Sequence, residues 1–164
     1  MNGQAQLVYF GAAQSGIGRA DSFLQARQWA STRYGGVYRA GHIQRLLAFF
    51  TGSSNHLLAL DQVAKESQVK DRRSLGIRVV SIDQIKGSEG RHQDFDNEFR
   101  PLERYNRDRW LDVAAAIHMG KSLPPVDLIQ VGHTFYVRDG HHRISVAKAL
   151  GQLSIEATIA VWDV

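Results

Sequence analysis

The stretch that most limits what this chain can become is TFYVRDGHHRISVAKALG, residues 134–151. Its first half, TFYVRDG, looks like a strand. Its second half spaces Ile144, Ala147 and Leu150 as a helix does, and Gly151 is placed to stop it. A single glycine, Gly140, separates the two patterns. The segment is therefore read as a strand that turns into a helix across one residue. The first N–H groups of a helix have no partner inside it and carry the positive end of its dipole. A glycine just before them lets an anion approach without meeting a Cβ, which is how phosphates are commonly held at helix starts. Arg143 falls in the first turn, where a cation opposes the dipole by up to about 1 kcal/mol. An anion clamped by that arginine offsets the cost. His141 and His142 add hydrogen-bond donors or a proton shuttle near neutral pH. Asp139 fits a second role as helix N-cap. Two adjacent histidines diverge too much to share one metal, for which spacings of three or four are usual on a helix.

The flanks extend the pattern. PPVDLIQVG (124–132) reads as a strand joined to 134–140 by a tight turn at Gly132-His133, and SIEATIAVW (154–162) as a last strand. IRVVSIDQI (77–85) is β-branched and alternating, so it is a strand. NRDRWLDVAAAIHMG (106–120) carries Trp110, Val113, Ala114 and Ile117 as an apolar stripe and ends at Gly120. Before residue 76 the chain reads as helical. One helix over 20–34 has Asp21 as N-cap, a break follows at Gly35-Gly36, and further helices cover 37–50 and 55–66. SQVKDRRSLG (67–76) reads as a linker. The expected architecture is an α+β domain over 76–164 with a helical N-terminal extension over 1–75.

A second candidate site is the loop KGSEGRHQDFDNEFRP (86–101), with four acids and three bases. Loops of this length are commonly functional. If it is extended, Asp94, Asp96 and Glu98 share one side and Phe95 and Phe99 the other. Paired carboxylates near phosphates suit Mg²⁺, and one of them could serve as general base. Glu89 and Arg91 belong to the same candidate set. The alternative is a solvated loop pinned by its two phenylalanines.

The chain has no cysteine, which removes disulfides, thiolate metal sites and thiol nucleophiles together and fits a reducing cytoplasm. No apolar run reaches the ~18 residues of a membrane span, and the start reads as carrying no signal peptide. Of the net charge of +4, the excess lies in residues 1–75, which hold nine Lys/Arg against four Asp/Glu. Arg19, Arg27, Arg33, Arg39 and Arg45 recur there at intervals that allow contact with a polyanion, and Trp29, Tyr34 and Tyr38 read as core. The motif GAAQSGIGRA (11–20) lacks the lysine of a phosphate-binding P-loop and is discounted.

Taken together, VVSIDQIKGSEGR and LPPVDLIQVGHTFYVRDGHHRISVAKALGQLSIEATIAVW resemble the core of the ParB/sulfiredoxin superfamily. The shared features are a Pro-rich approach to a strand, a hairpin, a Gly-x-x-Arg turn, an Ala-rich helix ending in Leu-Gly and a final strand. The resemblance covers about residues 76–163. It implies a mixed sheet with flanking helices that binds a nucleotide di- or triphosphate. Gly140, His141, His142 and Arg143 would hold the phosphates, and the helix with Arg107, Arg109 and Trp110 would line the other side. The turn has the Asp-Gly-His-x-Arg form of a related free-serine kinase. It lacks the cysteine that sulfiredoxins need, so sulfinic acid reduction is excluded.

The functional expectation is a ParB-like nucleotide- or phosphate-binding protein. As an enzyme it would be a phosphotransferase or nucleotide hydrolase, with Asp94, Asp96, Glu89 and His141 as catalytic candidates. Arg91 and Arg109 are further ligand contacts, and Asp94 with Asp96 would hold Mg²⁺. The alternatives are a DNA-binding or nuclease-type protein related to plasmid and chromosome partition, and a regulatory module without catalysis. A homodimer is open, and no membrane partner is expected.

Overall fold

The computed structural model describes the backbone of residues 5–66 and 70–163, and the side chains of 21–65 and 70–163. Ten main elements follow in order: α1 (Ala5–Thr51), β1 (Leu58–Ala59), α2 (Leu60–Glu66), β2 (Asp71–Ser81), β3 (Ile85–Ser88), α3 (Arg107–His118), β4 (Val126–Val131), β5 (Thr134–Asp139), α4 (His141–Ala149) and β6 (Ser154–Asp163). Short 3₁₀ turns at Ile82–Gln84 and Arg104–Asn106 precede β3 and α3. The six strands form one sheet in the order β1-β3-β5-β4-β6-β2. β1, β3 and β5 run parallel to one another, and so do β4 and β6; β5–β4 and β6–β2 are antiparallel. The class is α+β, as expected.

Alternation along the strands divides the core. On β5, Phe135 and Val137 face a cluster with Val126, Leu128, Ile144 and Ala147, while Tyr136 faces the other way, onto Leu60, Ile129 and Trp162. Thus α4 covers one face of the sheet and α2 the other. A third cluster joins Ala30 and Tyr34 of α1 to Trp110, Leu111 and Ala114 of α3 and Val146 of α4. It builds an outer helical layer behind α4.

The N-terminal half departs from expectation. α1 runs unbroken through Asp21 and Gly35-Gly36, so Asp21 is no cap and the glycines are no break. Two glycines in a helix interior cost about 1 kcal/mol each relative to alanine. Burial of Ala26, Ala30 and Tyr34 before the pair, and packing of the partly buried Val37 and Tyr38 after it, hold the helix together across the glycines. The segment read as a third helix begins instead as β1, paired with β3. The expected linker already enters β2 at Asp71, which pairs with Asp163. A boundary at 75/76 therefore cuts through an edge strand, and residues from Leu58 onward contribute to the sheet. The glycine stops do appear. At Gly52, Gly120 and Gly151, each with positive φ, the following residue's N–H bonds the carbonyl five residues back. Among the described residues no helix is long and apolar enough to cross a membrane. Motif 11–20 lies on the α1 backbone, and its side chains are outside the described residues.

Candidate phosphate site at the start of α4

β5 ends at Asp139 and α4 begins at His141, so the switch does occur across Gly140 alone. Gly140 has φ +100, a conformation that costs other residues dearly. A Cβ there would lie 2.5 Å from Cγ1 of the fully buried Val126. The glycine is thus required by packing against β4 as well as by its φ. Gly140, not Asp139, is the cap residue, and no side chain caps the terminus. Asp139 instead pairs with Arg143 at 2.7 Å.

In front of this helix start lies a cavity of about 230 Å³. Asp139, Gly140, His141, His142 and Arg143 form one wall. Arg91, Arg109 with Val113, and Leu123 with Pro124 form the rest. Three guanidinium groups and one carboxylate make the lining positive.

The three arginines differ in freedom. Arg143 Nη1 donates to the carbonyls of Pro124 and Pro125 at 2.6 and 2.7 Å, and Nη2 to Asp139 Oδ2. It braces the helix start against the approach to β4, and the protein itself offsets the cost of a cation in the first turn. Arg91 donates from Nε to Asp94 Oδ2 at 2.7 Å and from Nη2 to Asn106 Oδ1 at 2.8 Å. Arg109 has no hydrogen-bond or ion-pair partner among the described residues. Its guanidinium keeps all its donors open.

Both histidines are held neutral. His141 is buried, its Nε2 2.7 Å from the Ser88 hydroxyl and its ring stacked on Phe95. Burial pushes its pKa down to about 4, with Arg91 and His142 adding to the effect. His142 Nε2 donates to Asn106 Oδ1 at 3.2 Å, and its ring meets Phe95 edge-on. Burial, then Arg91 and Arg109, also push it down to about 4.

The acidic loop does not run extended. Phe95 and Phe99 are fully buried, as pins, and Phe99 adopts φ +58. Asp96 is buried and accepts the N–H groups of Glu98 and Arg100 on Oδ1 and the Arg100 guanidinium on Oδ2. Burial raises its pKa despite those bonds. Burial also works to raise Asp94, but hydrogen bonds from Tyr105 and Arg91 outweigh it and hold the carboxyl below the usual range. The carboxylates expected to share a metal therefore do not converge. Asp96 spends its oxygens on its own loop, and Asp94 is committed to Arg91. Among the described residues no cluster of three His, Asp or Glu is arranged for a metal. The residues present do not fit Mg²⁺ held by Asp94 and Asp96. Glu89 bonds Arg138 and faces a separate cavity beside Leu60 and Trp162. Glu98 pairs with Lys148 of α4.

Two contributors were not foreseen. Asn106, nearly fully buried, joins Arg91 to His142 through one amide oxygen. Ser88 joins His141 to the Arg91 N–H. Asn106 opens the segment read as a helix over 106–120; it stands at the N-cap position of α3, but its side chain makes no cap bond. Of the expected partner helix, Arg109 reaches the cavity, Arg107 turns to Ser31 of α1, and Trp110 is buried with Nε1 donating to Ser145. The basic series on α1 is partly spent: Arg27 pairs with Asp108 and Asp112 of α3, Arg33 lies over Trp29, and Arg39 donates to the Gly35 carbonyl.

No protein-family model matches the chain, and no curated protein does. Among solved structures, the chain is similar to the sulfiredoxin from Arabidopsis thaliana, at 22% identity and a TM-score of 0.38 over 51% of this chain and 82% of that one. That likeness is one of chain path, and function does not travel with a fold.

Proposed function

We propose that this protein binds a nucleotide or another phosphorylated ligand, with its phosphates in the cavity at the start of α4. One observation carries the reading: an uncapped helix start, a glycine cap at φ +100 and the unpartnered Arg109 all border the same cavity. Backbone N–H groups at a helix start and a free guanidinium are complementary to phosphate oxygens. Arg91 and Arg143 add positive potential while their own bonds hold the walls in place. Charge neutralisation rests on these cations, and Mg²⁺ enters as the counter-ion that a nucleotide brings with it.

Phosphoryl transfer and nucleotide hydrolysis need little covalent chemistry from a protein beyond positioning and charge stabilisation. His142 is neutral at pH 7, and its Nε2 is occupied as a donor to Asn106. In that tautomer its Nδ1 carries the lone pair and can accept a proton. Calorimetric titration with ATP, ADP and CTP, with and without Mg²⁺, tests the binding. We expect at least one to bind, and Arg109→Ala to weaken it about tenfold, the scale of one charge-assisted hydrogen bond. Absence of binding by all three, or an Arg109→Ala affinity equal to the parent's, removes the reading. Phosphorus NMR of the mixture then shows whether a phosphate is transferred to water or to an acceptor.

A further inference from the structure

A second cavity, of about 270 Å³, lies against the first. Leu123, Pro124 and Arg143 border both. Arg143, fastened to Pro124 and Pro125, is therefore a shared partition, with the helix start on one side and this second space on the other. The two spaces differ in character. The first is lined by cations and uncapped helix N–H groups. The second has apolar walls from Ile117 of α3 and Ile155 of β6, and a polar edge from Lys121, Gln152, Ser154 and Glu156. Apolar faces with a few polar groups along one edge form the usual lining of a slot for a flat heterocycle. Glu156 has no hydrogen-bond or ion-pair partner among the described residues.

We infer that this second cavity receives the base of the nucleotide whose phosphates occupy the first, and that Glu156 selects bases that present an amino group. The inference rests on the phosphate-binding reading above. An ionised carboxylate only accepts hydrogen bonds. Adenine, cytosine and guanine each offer an exocyclic amine to it. Uracil offers two carbonyls flanking a single N–H, and its carbonyls face the carboxylate unfavourably. Gln152, with both a donor and an acceptor, serves any of the four. Ile117, Leu123 and Ile155 contact the ring faces.

The test is calorimetric titration of the full chain with inorganic tripolyphosphate, ATP, CTP, GTP and UTP. Tripolyphosphate carries the charges without a base, so it reports on the first cavity alone. We expect ATP, CTP and GTP to bind at least tenfold more tightly than tripolyphosphate, and UTP to fall below all three. In Glu156→Ala the ratio of nucleotide to tripolyphosphate affinity should collapse towards that of UTP, and in Glu156→Gln, whose amide both donates and accepts, UTP should rise towards the other three. Nucleotides that bind no more tightly than tripolyphosphate overturn the base cavity and leave the phosphate site standing. A ratio for ATP, CTP and GTP that survives Glu156→Ala, or a UTP ratio unmoved by Glu156→Gln, overturns the role of Glu156. Failure of tripolyphosphate and every nucleotide to bind overturns both readings together.

Discussion

The turn at 139–143 and the loop at 89–98 look alike on paper: each packs charged residues around glycine or aromatic residues. They use those groups in opposite ways. In the turn, polar atoms converge on an open cavity, and Arg109 brings open donors to it. In the loop, the carboxylates are consumed internally, with Asp96 tying down its own backbone and Asp94 fastened to Arg91. The loop serves the site indirectly, by seating Phe95 beneath both histidines and by aiming Arg91. A charged cluster becomes a site only where hydrogen-bonding capacity is left over and faces space.

Substitutions should separate the two regions. Gly140→Ala meets both positive φ and a 2.5 Å approach to Val126. Strain and overpacking together predict a loss of roughly 2–5 kcal/mol in urea denaturation; parent-like stability breaks the account of the turn. Asp96→Ala strands two N–H groups and a guanidinium, for roughly 2–4 kcal/mol of lost stability. Its folded fraction should still bind ligand, because Asp96 does not border the cavity. A variant that folds normally but binds nothing would make the loop the site instead. Arg109→Ala should do the reverse. Its stability stays within about 0.5 kcal/mol of the parent, as for an exposed substitution, while ligand affinity drops about tenfold.

The histidines give a pH test. Both titrate at about 4 in the folded chain and near 6.5 when unperturbed. Between those values the unfolded chain binds more protons than the folded one. Stability is therefore full above about pH 6.5 and declines as pH falls towards about 4. Melting at about pH 7.5 and about pH 4.5 should show a lower Tm in acid, with each kcal/mol lost appearing as about 2–4 °C. An acid-insensitive Tm means the rings are not buried as described. The smallest effect is expected from Glu98→Gln, which removes a half-exposed partner of Lys148. It should cost under about 1 kcal/mol.

Much of the site was legible because its parts are local. The β5–Gly140–α4 switch, the glycine stops and the apolar stripes of α3 and α4 follow from periodicity and φ preferences among near neighbours. Asn106 was not legible. Its position before a helix has a ready local explanation as a cap, and its actual partners, Arg91 and His142, lie 15 and 36 residues away. The break at Gly35-Gly36 failed for the same reason: propensity favours a stop, and the packing of α1 on α3 outweighs it.

By itself, the sequence determined the α+β class and the strand–glycine–helix turn; the pinning of the acidic loop by Phe95 and Phe99 stood there only as the alternative to an extended row of carboxylates. Each depends on conformational preference or burial pattern within a short window. Only the tertiary structure decided which charged groups remain available. Arg143, Asp94 and Asp96 find partners inside the protein, and Arg109 has none among the described residues. Hydrogen-bonding capacity is used up by whatever the fold brings within 3 Å or so, and residue type and spacing do not record that.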